Sequence, residues 1–263
     1  MGKIRAVFFD IDGTLVSFKT HRIPPSTLDA VAALRSRGIK VYIATGRPVP
    51  FIDNLGELEY DGMITVTGAH CFTSGGEVIY HQSVSAESVG RVVGHLSHGA
   101  DAYPVIFVCS DEMFITELNE DVDAVARLLD IKMPPVRPAS YACGKDVLQL
   151  ISFFKADREP HFMSALMPDC TSMRWHPFFT DVIAGGVDKS VGIDKVLAYE
   201  GLSLDEAMAF GDGGNDMAML SHVPCGIAMG NACEELKEVA AYVTASVDED
   251  GVARALRHFG LIN

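Results

Sequence analysis

The chain has 263 residues, 48% of them apolar and 21% charged, with 24 Gly and 12 Pro. This is the composition of an ordered globular protein and excludes a disordered or fibrous one. Its 21 Lys and Arg stand against 35 Asp and Glu, a formal charge of −14, which argues against nucleic acid or an acidic membrane surface as a partner.

In chain order, residues 4–11 form a short apolar run closed by Asp12-Gly13, the pattern of a strand buried on both faces. Pro24-Pro25-Ser26 offers a cap for a helix over residues 27–37, with Leu28, Val31 and Leu34 at helical spacing and Gly38 as its stop. Residues 41–44 and 63–66 are two more buried strands. Strand and helix alternating in this way predict a parallel sheet covered by helices. From about residue 84 the strands come in pairs. A helix over 85–97, a hairpin of 105–108 with 113–117, and a helix over 119–129 capped by Asn119 come first. They are followed by a Pro-rich loop over 133–138, a strand over 147–154, a helix over 158–167, and a second pair of 173–176 with 180–184. That order predicts an α+β module. The alternating pattern then returns: helix 189–199, strand 207–210, helix 216–222, strands 225–228 and 242–244, and a final helix 251–259. Expected domains are therefore a core of residues 1–83 with 185–263, split by an inserted module of residues 84–184.

The six cysteines, none in a C-x-x-C pair, read as reduced thiols. No run of about 18 apolar residues is present, which excludes a membrane-spanning helix. The apolar stretch before Asp10 is too short for a signal segment, so a cytoplasmic protein without a membrane partner is expected.

Four segments carry chemistry, each directly after a predicted buried strand or at a helix start. Asp10-Ile11-Asp12-Gly13-Thr14 places two carboxylates two residues apart at a strand end, where ligands gather in open parallel sheets. Thr45-Gly46-Arg47 offers a hydroxyl and a main-chain N–H to an anion. Lys189 opens a helix, an unfavourable sign for that end of the helix dipole unless an anion is held nearby; a lone lysine there is usually solvated. Gly211-Asp212-Gly213-Gly214-Asn215-Asp216 is a tight loop rich in oxygen ligands.

In this order, D-x-D-G-T, T-G, K and G-D-x-x-N-D, the segments resemble the haloacid dehalogenase-like (HAD) hydrolase superfamily. The inserted module and the stretches Gly186-Val187-Asp188-Lys189 and Asp248-Glu249-Asp250-Gly251-Val252 are similar to the Cof-like subfamily with its C2B-type cap. The resemblance implies an α/β fold, a Rossmann-like parallel-sheet core with an inserted α+β cap. It also implies a phosphatase of small phosphorylated metabolites, with bacterial sugar-phosphate phosphatases the nearest likeness. Asp10 would be the nucleophile that forms an aspartyl-phosphate, and Asp12 the general acid and base. Mg²⁺ would be held by Asp10, a backbone carbonyl of Asp12, and Asp212. Asp12, Thr45, Gly46, Lys189 and Asn215 would bind phosphate oxygens, and Asp216 would steady Lys189 or a metal-bound water. Arg47 is expected either to meet an anionic substrate group or to hold the Thr45 loop. Asp181, and Trp175 with His176, are expected to touch substrate or to serve as ordinary strand and core positions. His70 follows Thr67-Gly68-Ala69, where relatives commonly carry Asn-Gly-Ala, so Thr67 departs from the pattern. Two other functions fit the same residues: a phosphosugar mutase, and a non-catalytic sugar-phosphate sensor.

Overall fold

The computed structural model describes residues 3–98, 102–129 and 131–263. Their elements, in chain order, begin with β1 (Ala6–Phe9), α1 (Pro25–Ser36), β2 (Lys40–Ala44), β3 (Gly62–Thr65), β4 (His70–Thr73) and β5 (Val78–His81). Then come α2 (Ala86–His98), β6 (Val105–Cys109), β7 (Met113–Ile115), α3 (Glu120–Leu129), β8 (Val147–Ser152), α4 (Glu159–Leu166), β9 (Cys170–His176) and β10 (Phe179–Ala184). The chain closes with α5 (Lys189–Glu200), β11 (Ala207–Gly211), α6 (Met217–His222), β12 (Cys225–Ala228), α7 (Glu234–Val239), β13 (Tyr242–Val243) and α8 (Gly251–His258). Two compact units result, one from the chain up to His81 and from Asp188 onward, the other Gln82–Val187.

The first unit is an eight-stranded sheet in the order β13-β12-β11-β1-β2-β3-β4-β5. Strands β13 through β3 run parallel, with β1 between β11 and β2, so Phe9 lies level with Phe210 and Ile43. Alternation along these strands builds two cores. Val7, Phe9, Val41, Ile43, Met208 and Phe210 face α1 and α8, while Ala6, Phe8, Tyr42, Ala44 and Ala209 face α5, α6 and α7. Met208 in the first core and Met219 in the second are fully buried filler, as expected, and Met217 packs against the second. The sheet is not wholly parallel. β4 and β5 add an antiparallel hairpin at its edge, a half-exposed pair of four-residue strands. α7, six residues long, also escaped the periodicity argument. The expected cap from Ser26 does not form: Pro25 sits in the first turn with no side-chain cap, and the Ser26 hydroxyl bonds Asp250 instead.

The second unit is a five-stranded antiparallel sheet, β7-β6-β8-β10-β9. Phe107, Leu150 and Val182 on one face pack with Val92 of α2 and Phe162 of α4. Asn119 caps α3, its Oδ1 accepting from the Val122 N–H at 2.9 Å. Gln149, Ile151, Asp181 and Ile183 alternate onto the opposite face. Trp175 is 59% exposed, so it is not the core residue its type suggested; its Nε1–H donates to Asp181 at 2.9 Å. Burial pushes the Asp181 carboxyl up to about 6 against the pull of that bond. All six cysteines are free, and Cys71, Cys109 and Cys225 are buried. No helix among the described residues is long and apolar enough to cross a membrane.

Candidate active site

β1, β2 and β11 end side by side, and the loops that leave them bring the sequence motifs together at the carboxyl edge of the sheet. β1 stops at Phe9, one residue before the first carboxylate. The Asp10 N–H still bonds Phe210 O at 3.0 Å, after which Ile11 O collects three successive N–H groups of a tight turn. Gly13 takes φ +79 there, and a Cβ on it would lie 2.0 Å from Asp212 Oδ2, so glycine is required twice over. Because the chain has left the strand, Asp10 and Asp12 do not follow its period of two: the two carboxylates have different partners.

Asp10 turns to Lys189. This lysine is fully buried, and its Nζ donates to Asp10 Oδ1 and Asp216 Oδ1, both at 2.6 Å. The usual fate of a lysine at a helix start, solvation, is thus not its fate. Asp188 makes the position possible, capping α5 by accepting from the N–H groups of Ser190 and Val191 at 2.8 and 3.1 Å, a cap that stabilises by about 1 kcal/mol. Burial alone would lower the Lys189 ammonium, but Asp10 and Asp216 outweigh it and hold its affinity for the proton above that of an ordinary lysine.

Asp10, Asp212 and Asp216 offer carboxylate oxygens that all lie within 4.8 Å of one another. Burial raises Asp10 well above the usual carboxylate range; Lys189 opposes this, while Asp216 and Asp212 add to it. Burial and the Asp216 charge push Asp212 up to about 7. Three acids facing one ammonium leave excess negative charge in a dry site. Hard oxygen ligands so arranged fit a divalent cation such as Mg²⁺. The carboxylates gathered here include Asp216 and not Asp12, whose expected share in the metal was through its main-chain carbonyl.

Asp12 turns to Arg47, whose Nε and Nη2 each donate to one of its oxygens at 2.7 Å. The third guanidinium nitrogen donates to Phe51 O at 2.8 Å, so Arg47 also holds its own loop. Thr45 is 1% exposed, and its Oγ1 accepts the Arg47 N–H at 3.1 Å. Asn215 is exposed and lies beside Gly46, with its Nδ2 3.4 Å from where a Cβ on Gly46 would stand. Asp216, besides holding Lys189, accepts from the N–H groups of Asp212 and Gly213 at 3.0 Å each and so shapes the acidic loop.

Two contributors escaped the sequence reading. Asn231 donates from Nδ2 to Gly13 O at 2.8 Å and Asp212 Oδ2 at 3.1 Å, while its Oδ1 accepts the Val247 N–H at 2.9 Å. It ties three loops together behind Asp212. The signal was available, since Gly230-Asn231 follows β12 at the same sheet edge. The second is the turn at Val66-Thr67, with φ of +51 and +52 in consecutive β-branched residues. Each such residue costs roughly 1–3 kcal/mol. The turn is held because the N–H groups of Val66 and Thr67 bond Arg47 O and Thr45 O at 3.2 and 3.1 Å. Gly68, at φ +103, lets Asp188 O approach within 2.0 Å of where a Cβ would stand. This single turn thus joins the Thr45 loop to the residue that caps the Lys189 helix.

A family model described as haloacid dehalogenase-like hydrolase matches residues 7–256. The chain belongs to that family. It is 43% identical to a solved HAD subclass IIB sugar phosphatase, BT4131, covering 98% of this chain and all of the other with a TM-score of 0.87. A second solved phosphatase, BT1666 from Bacteroides thetaiotaomicron, is 35% identical, with 99% and 96% covered and a TM-score of 0.89. The Bacillus subtilis (strain 168) 5-amino-6-(5-phospho-D-ribitylamino)uracil phosphatase YitU is 28% identical over 96% of both chains. The protein is accordingly a phosphoric monoester hydrolase, with a parallel-sheet core and an antiparallel-sheet cap.

Proposed function

We propose that this hydrolase is a Mg²⁺-dependent phosphatase of small phosphomonoesters, with hexose or pentose phosphates as its substrates. The observation that carries the reading is the buried Lys189 ammonium, 2.6 Å from both Asp10 and Asp216, with Asp212 completing the acidic group. The sugar phosphatase among its relatives supports the substrate class.

Asp10 attacks phosphorus through a carboxylate oxygen, the bond from phosphorus to the ester oxygen breaks, and Asp12 gives its proton to the departing alcohol. Water then attacks the phosphorus of the aspartyl-phosphate and passes its proton to Asp12. The bond to Asp10 breaks, and both carboxyl groups return to their starting state. Lys189 holds Asp10 in place and spreads positive charge toward the phosphoryl oxygens. Thr45, the Gly46 N–H and Asn215 donate to those oxygens. Arg47 fixes the Asp12 carboxyl in the loop. Asp10 and Asp212, with the main-chain carbonyl of Asp12, would hold Mg²⁺, while Asp216 orders the loop. The ion supplies neutralisation of phosphate charge and a template for in-line attack. Asp181 lies in the second unit, where its Trp175 bond and raised proton affinity make it the polar residue proposed to read sugar hydroxyls.

A screen of phosphorylated metabolites with Mg²⁺, reading released inorganic phosphate, is expected to find turnover concentrated in sugar phosphates. Isomerised sugar phosphate without free phosphate would instead mean a mutase, and binding without turnover a sensor.

The metal has a second signature, in stability. Asp10 and Asp212 bind protons more tightly folded than unfolded, so folding stability in metal-free buffer falls as pH rises from about 4 through about 7. The loss should be on the order of 4 kcal/mol from Asp212 alone. Mg²⁺ competes with those protons. Melting curves in chelator and in Mg²⁺ should therefore diverge, with a small gain from the ion at pH 5 and a large one at pH 8. A gain independent of pH would count against this metal site.

A further inference from the structure

Thr67 is 4% exposed, and the bonds that hold its turn are main-chain ones that do not use its hydroxyl. Its Oγ1 lies 3.3 Å from where a Cβ on Gly46 would stand, and Asn215 Nδ2 lies 3.4 Å from the same point. A side chain at position 46 would fill that space; glycine leaves it open. Around it the Gly46 N–H finds no acceptor among the described residues. The Thr45 hydroxyl accepts from Arg47 and keeps its own proton free. Two donors, the Thr67 hydroxyl and the Asn215 amide, thus face one small space beside the Gly46 main chain.

Backbone preference does not explain the residue. A position at φ +52 suits Gly or Asn, and a β-branched side chain is strained there. The main-chain bonds that hold the turn, from Val66 and Thr67 to the Thr45 loop, would form with any residue at position 67. What threonine adds is a short, rigid hydroxyl, fixed by its restricted χ1 and aimed at Gly46.

We propose that Thr67 is a further catalytic residue, its Oγ1–H donating to an oxygen of the transferring phosphoryl group beside Thr45, Gly46 and Asn215. The ligand class is a tetrahedral or trigonal-bipyramidal oxyanion. The proposal deepens the phosphatase reading and rests on it. The bond is worth most when the phosphoryl oxygens carry the most charge, so its loss falls on turnover more than on KM.

The test uses the full-length protein with Mg²⁺ and three variants, Thr67→Val, Thr67→Ala and Thr67→Ser, read by phosphomonoester turnover and by the affinity of orthovanadate, which imitates the five-coordinate phosphoryl group. Thr67→Val and Thr67→Ala should each lower kcat by about 10–100-fold and weaken vanadate by a similar factor. KM should move less than threefold, and the melting temperature should not follow the loss. Thr67→Ser should recover most of both. Thr67→Ala still tests the hydroxyl if valine at this strained position prevents folding. Wild-type turnover and vanadate affinity in either hydroxyl-free variant would overturn the proposal, as would a serine variant that falls as far as alanine. If the wild-type protein released phosphate from no monoester but bound vanadate in a Thr67-dependent way, the phosphatase reading would fail and the oxyanion cradle would stand.

Discussion

Asp10→Asn is expected to lower phosphate release by roughly 10⁴-fold or more, the scale on which removal of a nucleophile acts. The amide keeps the shape of the carboxyl group but loses one oxygen and the negative charge that makes the other a nucleophile. The charge is not the only support of its surroundings. Lys189 keeps Asp216 as a partner at 2.6 Å, and the Asp10 N–H keeps its bond to Phe210 O. The variant should therefore fold, and it should be more stable than the native chain in metal-free buffer at pH 8. The sign follows from proton affinity: burial raises Asp10, so the ionised carboxylate is a stability loss that grows with pH and that asparagine does not suffer. Phosphate release assays paired with melting curves check both halves. Turnover near the native level would remove Asp10 from the mechanism. Turnover lost together with folding would mean that the Lys189 pair serves structure first.

The residues legible in the sequence share one property: each lies just beyond a buried strand or opens a helix. Asp10, Asp12, Thr45, Asp212 and Lys189 were found that way, because a parallel sheet delivers its strand ends to one edge and chemistry-bearing types stand out there. How they pair was not legible. Spacing placed Asp10 and Asp12 together, but β1 stops at Phe9 and the turn sends one carboxylate to Lys189 and the other to Arg47, 35 residues away in the chain. Lys189 was expected to bind phosphate oxygens, but nothing local announces that two acids from other loops surround it. The β4–β5 hairpin escaped for a different reason: its strands are only four residues each, too short for a period to be counted, although Val78-Ile79-Tyr80 after Gly75-Gly76 carried a hairpin signal. The Val66-Thr67 turn is the hardest case. Two β-branched residues in left-handed backbone contradict local propensity, and only the tertiary bonds to the Thr45 loop hold them there. Conflict of this kind between local preference and fold is concentrated where function constrains the chain.

Lys189→Met should strongly destabilise the first unit. Methionine fills a similar volume and keeps the helix, so the effect isolates the ammonium. Without it Asp10 and Asp216 lose a donor that each holds at 2.6 Å, and three carboxylates within 4.8 Å of one another stay buried with no cation between them. Breaking a buried pair in this way costs about 3–5 kcal/mol, because the surviving charges have lost their compensation. The pH dependence separates this from a packing defect. Asp10 is already raised by burial, and loss of Lys189 removes the influence that opposed the rise. The acids then take up protons in the folded state, so the variant should lie closest to the native chain near pH 5 and fall furthest behind at pH 8. Mg²⁺ should restore part of the difference, and adding Asp216→Asn to the variant should restore more by removing one of the repelling charges. Urea unfolding at pH 5 and pH 8, with and without the ion, measures all of these. A loss equal at both pH values would assign Lys189 to packing. No loss at pH 8 would mean that the three carboxylates do not need a cation to remain buried, and the electrostatic account of the site would fail with it.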